Sequence, residues 1–250
     1  MTADLDLVRT LVVCLVMAVL AALLLLRAGV GLRWEPIIGI ARAAAQLLVL
    51  ALVLAFMITS VGWVLLWLGV MATVAVLTAT RRIGASRETL LAVAGGVLLG
   101  GGATLAIAFA SGTVALGPQY LLALGGITIG NAMSVATVTA KRLRESLAEH
   151  RHEVEGWLAL GATPRQSAAR FRAAASRLAL IPHLDQVKTT GLVTLPGAFT
   201  GAVFAGASPL QAGLFQLVVL AGILLTGAIC TVVVTGVLGA PTTLPAEPRD

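Results

Sequence analysis

The sequence predicts an all-α polytopic membrane protein of about seven transmembrane helices with a cytoplasmic helix-turn-helix segment. Three observations carry this reading. The 250 residues are 58% hydrophobic and only 11% charged, too little polar surface to clothe a soluble domain of this size. Two charge-free runs, 52 residues from 89 to 140 and 58 residues from 189 to 246, are each long enough for two spans. Between them, nine of the seventeen Lys and Arg residues fall from Lys141 to Lys188 in one amphipathic stretch.

A span needs roughly 20 mostly apolar residues. The charge-free run 10 to 26 therefore holds one span, and the runs 43 to 80, 89 to 140 and 189 to 246 hold two each. Turn-forming residues divide the pairs: Thr59 to Gly62 in the first, Ala110 to Thr113 and on to Pro118 in the second, Ser208 and Pro209 in the third. Orientation follows from the basic residues, which stay in the cytoplasm when loops are short. Arg27, Arg33 and Arg42, then Arg81, Arg82 and Arg87, then the nine of the long segment, then Arg249, all fall on one side of a seven-span topology. The N-terminus is expected outside and the C-terminus inside. Asp4 and Asp6 with no basic residue before Arg9 are unlike a cleaved signal peptide, so the first helix is expected to remain.

The net charge of +6 fits basic loops at an anionic leaflet and does not imply nucleic-acid binding. Cys14 and Cys230 fall within spans, where a thiol acts as a small hydrophobe, so no disulfide framework is expected. The spans are rich in small residues, among them Gly95, Gly96, Gly100 to Gly102, Gly125, Gly126, Gly130, Gly197, Gly201 and Gly206, which let helix backbones approach closely. Few polar side chains interrupt them, and each is a candidate for the solute path. Arg42 and Gln46 lie one turn apart near the cytoplasmic end of the second span. Asn131, Met133 and Ser134 follow Gly130 in the fifth, with Thr128, Thr137 and Thr139 nearby. Pro196 and Gly197 are expected to break the sixth helix at membrane depth and expose carbonyls. No Asp, Glu or His falls within an expected span, which argues against a high-affinity metal site there.

The segment 141 to 188 is expected to lie in the cytoplasm between spans five and six. The spacings Lys141/Glu145 and Arg151/Glu155 support a solvated helix that continues the fifth span. Gly161 suits the left-handed position after a helix end. Thr163 as N-cap, Pro164 at N1 and Gln166 at N3 form a capping box for a second helix, expected to run to about Leu180 and stop at Pro182. Glu153, Glu155, Leu160, Gly161, Thr163 and Pro164 thus form a rigid elbow suited to receive force from a soluble motor. Glu149, His152 and Glu153, at i, i+3 and i+4, share a face on one continuous helix and are a candidate loose metal-binding triad. Residues 239 to 250 are expected to be a short cytoplasmic tail.

The ordered run of Gly130 to Met133, Glu153 to Glu155, Leu160 to Pro164, Ala179 to Pro182, Asp185, Lys188, Thr189, Gly191 to Val193, Leu195 to Gly197, Gly201, Phe204 to Gly206, Pro209 and Gln216 resembles the FetB family of ABC-transporter permeases. The likeness covers about residues 38 to 240. It implies that residues 1 to 250 form a single transmembrane permease domain in a bacterial plasma (inner) membrane. It further implies export of iron or another metal with energy from a separate ATP-binding subunit. Plant relatives are linked to aluminium tolerance. The glutamate-to-glycine spacing also resembles the loop by which importer permeases of the ABC class dock on their ATPases, although their Ile-x-Leu-Pro is not at its expected distance. A homodimer of the permease is expected, with ATP and Mg on the partner ATPase and no cofactor on this chain. Consistent with that, the chain lacks a Gly-x-x-x-x-Gly-Lys-Ser/Thr phosphate loop. The alternative is an ABC permease for an organic anion or sugar nucleotide. An intramembrane hydrolase is disfavoured because His150, His152 and His183 all fall in the segment expected to be cytoplasmic. A scaffold without transport has no use for the elbow.

Overall fold

Helix starts in this chain are written by short polar side chains and prolines. The computed structural model describes residues 2–32 and 34–240. Within these it contains α1 (Thr2–Arg27), α2 (Glu35–Met57), α3 (Val61–Ile83), α4 (Arg87–Ala110), α5 (Pro118–Glu149), α6 (Arg151–Ala159), α7 (Pro164–Ser167), α8 (Ala169–Thr189), α9 (Gly197–Phe204) and α10 (Pro209–Leu238). The Ser60, Ser86 and Ser208 hydroxyls accept from the backbone N–H three residues on, satisfying donors that the first turn leaves free. Pro118 and Pro209 sit at first-turn positions where no N–H is missed. The expected breaks at residues 59 to 62, 110 to 118 and 208 to 209 each coincide with a junction where one helix has ended and the next begins.

Among the described residues, six helices are long and apolar enough to cross a membrane: Val8–Arg27, Glu35–Leu54, Val61–Ile83, Arg87–Ala110, Pro118–Glu149 and Pro209–Leu238. The expected count of seven apolar spans needs correction at the sixth. There the chain forms the end of α8, a turn over 190–196 and the eight-residue α9. Gly191 at φ 87°, with its N–H bonded to the Thr194 carbonyl, closes that turn, and the Thr189 carbonyl accepts from Leu192, Val193 and Thr194. Pro196 therefore does not break a helix; it is the N-cap of α9, and Gly197 is its first residue. Nor does Pro182 stop α8, which runs through it to Thr189. Arg33 and, beyond Ala240, the expected tail with Arg249 lie outside the described residues.

The chain divides into two compact units, residues 1–59 and 60–250. In the first, α1 and α2 pack on each other, with Ala18 and Ala22 buried. In the second, α10 packs most closely on α4, through missing side chains. A Cβ on Gly100 would fall 2.9 Å from the Thr226 carbonyl oxygen, one on Gly96 2.8 Å from Cys230 Sγ, and one on Gly222 2.8 Å from Thr104 Cγ2. The Thr104 and Thr226 hydroxyls pair at 2.8 Å in this seam, both buried. Close approach is what small residues permit where lipid removes any hydrophobic drive between helices. On the far side of α5, Gly125 admits Leu68 of α3, with 2.7 Å from an added Cβ to its Cδ1.

Contact order along these seams gives helix direction. Arg144 reaches Ile83 while Gly125 meets Leu68, so α3 and α5 are parallel. Tyr120 stacks at 5.3 Å on Phe215, and Val135 flanks Gly227, so α5 and α10 are parallel as well. Gly95 faces Val233 and Thr104 faces Thr226, so α4 is antiparallel to α10. At one end of this bundle Arg144 closes the α3–α4 turn, donating to the Ile83 carbonyl and, at 2.8 Å, to the Thr89 hydroxyl.

Gly100→Val should overpack the α4–α10 seam and cost about 1–3 kcal/mol, seen as a lowered unfolding temperature in detergent. Gly102→Ala, whose new Cβ meets nothing within 4 Å, should leave that temperature unchanged.

Candidate functional site

The elbow expected between Glu153 and Pro164 is built from one helix end followed closely by a helix start. After α6, Gly161 takes φ 89°. Its N–H bonds to the Leu158 carbonyl, and the Ala162 N–H bonds to that of Trp157. This paired pattern satisfies carbonyls that the helix end would otherwise orphan, and it requires a residue tolerant of positive φ. Two residues later Thr163 caps α7: its hydroxyl accepts from the Gln166 N–H, and its own N–H donates to Gln166 Oε1 at 2.8 Å. The expected capping box is present. The tip between that end and that start carries Leu160, 82% exposed, beside the exposed Trp157.

What holds the elbow is a small core separate from the membrane seams. Val154 of α6 and Phe171 of α8 are buried with Leu143 and Leu147 of α5, Ala168 and Ala175. Across this core Arg170 of α8 pairs with Glu153 of α6 at 2.6 Å. Arg165 Nη2 donates to the Gly236 carbonyl at 3.1 Å near the C-terminus of α10, where a cation is favoured. Glu155 pairs with Arg151 at 2.8 Å, as the spacing predicts, whereas Glu145 pairs with Arg142 at 3.1 Å. The Glu153–Arg170 pair was invisible to sequence reading because helix spacing identifies only partners three or four residues apart.

The candidate triad of Glu149, His152 and Glu153 is not assembled. His150, at φ −108° and ψ 32°, separates α5 from α6, so the three residues do not share one helical face. Glu153 is taken by Arg170, and His152 lies 4.0 Å from Glu155. Among the described residues no group of three or more His, Cys, Asp or Glu is placed to hold a metal ion.

Deeper in the bundle, Asn131 Nδ2 donates to the Ile223 carbonyl of α10 at 3.0 Å. The carbonyl is open to it beside Gly227, where an added Cβ would lie 3.8 Å from Asn131 Nδ2, 3.7 Å from Val135 and 3.0 Å from Leu180 of α8. Three helices thus meet where α10 has no side chain. Met133 is partly buried against the bundle core, and Ser134 is exposed. Arg42 and Gln46 lie exposed on α2, in the first unit. Leu180 and Gly227 were missed by the sequence reading, since an alanine-rich amphipathic helix and one glycine among many give no signal that they touch.

Among the described residues, six apolar helices of spanning length, with no other regular structure than helix, define an all-α polytopic membrane protein. The chain belongs to the family described as "Uncharacterised protein family (UPF0014)", whose model matches residues 8–241. It is 42% identical over 192 residues to the UPF0014 membrane protein STAR2 of Oryza sativa subsp. japonica, covering 76% of this chain and 67% of that one. It is 36% identical to the protein ALUMINUM SENSITIVE 3 of Arabidopsis thaliana, covering 82% and 76%. With the probable iron export permease protein FetB of Escherichia coli (strain K12) it shares 29% identity, over 90% of this chain and 88% of that one. No solved structure matches it.

Asn131→Leu should remove the α5–α10 hydrogen bond and lower stability by about 0.6 kcal/mol, the average for single interhelical bonds in membranes, and by no more than about 1.7 kcal/mol. Urea or thermal unfolding in a fixed detergent checks this, with Ser134→Ala, on an exposed position of α5, expected to change nothing.

Proposed function

We propose that this chain is the permease subunit of an ABC transporter, working as a homodimer with two copies of a separate ATP-binding subunit in a bacterial inner membrane, N-terminus outside and C-terminus inside. Its cargo is iron or another metal ion, moved outward by alternating access. The observation that carries the reading is the elbow. A tip with Leu160 82% exposed stands on two interlocked helix caps and is tied to α8 through Glu153–Arg170, to α5 through Phe171 and to α10 through Arg165. Glu155, Leu160, Gly161, Thr163 and Pro164 form the face offered to the ATPase, and Glu153 braces it from behind. A push on such a tip moves the bundle helices instead of bending a loop. ATP and Mg belong to the partner.

The relatives support the cargo: one is named a probable iron export permease protein, another ALUMINUM SENSITIVE 3. The proposed path runs along α5 and the turn that follows α8, with Asn131, Met133, Ser134, Pro196 and Gly197 beside it. An organic anion or sugar nucleotide is the competing cargo.

An affinity-tagged chain should co-purify from membranes with a Walker-motif ATPase encoded beside it. In the reconstituted complex, Gly161→Val should keep the pair together but lower solute-stimulated ATP hydrolysis several-fold. A branched side chain at φ 89° is strained by roughly 1 kcal/mol or more, while the space around Gly161 is open, so only the backbone conformation is affected. Unchanged stimulation in the variant would contradict the coupling role of the elbow.

A further inference from the structure

The helices α5 and α10 are each long and apolar enough to cross a membrane, and they run in the same direction. The chain between them, residues 150–208, must therefore return across the same thickness once. The eight residues of α9 reach only about 12 Å. The 21 residues of α8 reach about 31 Å, the depth of a hydrocarbon core.

Contacts along α8 agree with this return. Phe171, near its start, packs on Leu143 and Leu147 at the far end of α5. Ala179 is buried in the core that holds Val135, Ala136 and Cys230, and Leu180 lies at Gly227. Gly227 is about 11 residues, or about 17 Å, from the C-terminal end of α10 and about 27 Å from its start. Thus α8 descends antiparallel to α5 and α10, and its second half lies level with their middle.

The side of α8 turned away from this core is charged. Phe171, Ala175 and Ala179 form the buried stripe, while Arg177, Leu178, Ile181, Leu184, Asp185 and Lys188 are exposed. Asp185 falls about 7 Å beyond Leu180, close to mid-depth. Among the described residues, Arg177, Asp185 and Lys188 have no ion-pair partner. Charged side chains at that depth do not face lipid; they face water or a protein partner.

We propose that α8 is a seventh membrane-crossing helix, and that its charged face is covered by α8 of a second copy of this chain. A second copy fits because the face carries both signs: in two parallel copies of α8, Asp185 of one and Lys188 of the other differ by three residues, about 4.5 Å in depth, so each copy's carboxylate meets the other's ammonium. From residue 8 onward α1 carries no carboxylate, and neither does α2 beyond Glu35, so neither offers these cations an anionic partner. The two copies enclose a polar seam at the depth where the solute must pass. This rests on the homodimeric permease reading and adds to it the surface on which the copies meet.

Single cysteines test both parts without the ATPase. Leu192, 92% exposed in the turn after α8, should as Leu192→Cys react with a membrane-impermeant maleimide from the same side as Leu116→Cys, in the α4–α5 loop. It should react from the side opposite Leu160→Cys at the elbow. Labelling together with Leu160→Cys would overturn the crossing. In the same membranes, Ile181→Cys or Leu184→Cys should give covalent dimers with a short bifunctional thiol reagent, whereas Leu98→Cys, exposed on α4, should not. Correct labelling at Leu192 with no dimer at either α8 position would overturn the second-copy surface. Co-purification of the ATPase in that case would leave the permease reading standing.

Discussion

The rest of the second unit depends on the parallel packing of α5 and α10. These helices are brought together by absences: Gly227 leaves room for Leu180 and for the Asn131 amide to reach the Ile223 carbonyl, and Cys230 lies against the Ala132 backbone. Where lipid is as apolar as leucine, helices associate through close backbone approach and hydrogen bonds, and both are concentrated here. α4 closes on α10 by the same device at Gly96, Gly100 and Gly222, the last also facing Leu124 of α5.

At the elbow end the forces differ. There Phe171, Val154, Leu143 and Leu147 make a buried cluster of the kind found in soluble proteins, and cations are spent on helix ends: Arg165 on α10, Arg144 on the α3–α4 turn. The Glu153–Arg170 pair is partly exposed, so its weight lies in fixing the angle between α6 and α8 more than in stability. A bundle held by close seams and a tip held by a separate core are what the proposed coupling at Leu160 requires.

Much of this was legible in the sequence. Serine and proline signals placed most of the breaks, and Gly161 with Thr163, Pro164 and Gln166 announced the elbow, because those positions are decided by local backbone chemistry. The sixth span was misread because hydropathy rewards the apolar run after Thr189, whereas Gly191, Pro196 and Gly206 divide that run into a turn and a short helix. Pro182 was given too much weight as a stop; neighbouring helices can tolerate a proline within a helix packed against them. The Glu149, His152 and Glu153 face assumed one helix, and the break at His150 is set by packing of α6 onto α5 and α8, which no spacing rule reveals.

The account centres on movement of a metal ion through a path that this chain supplies and an ATPase drives. Its most direct measurement is flux in liposomes containing the chain with its ATPase, oriented so that added ATP meets the elbow side. ATP-dependent depletion of external iron into the lumen, absent without the chain and undiminished by excess sugar nucleotide, is the predicted result. ATP-dependent uptake of the nucleotide or another organic anion with no movement of iron would contradict it.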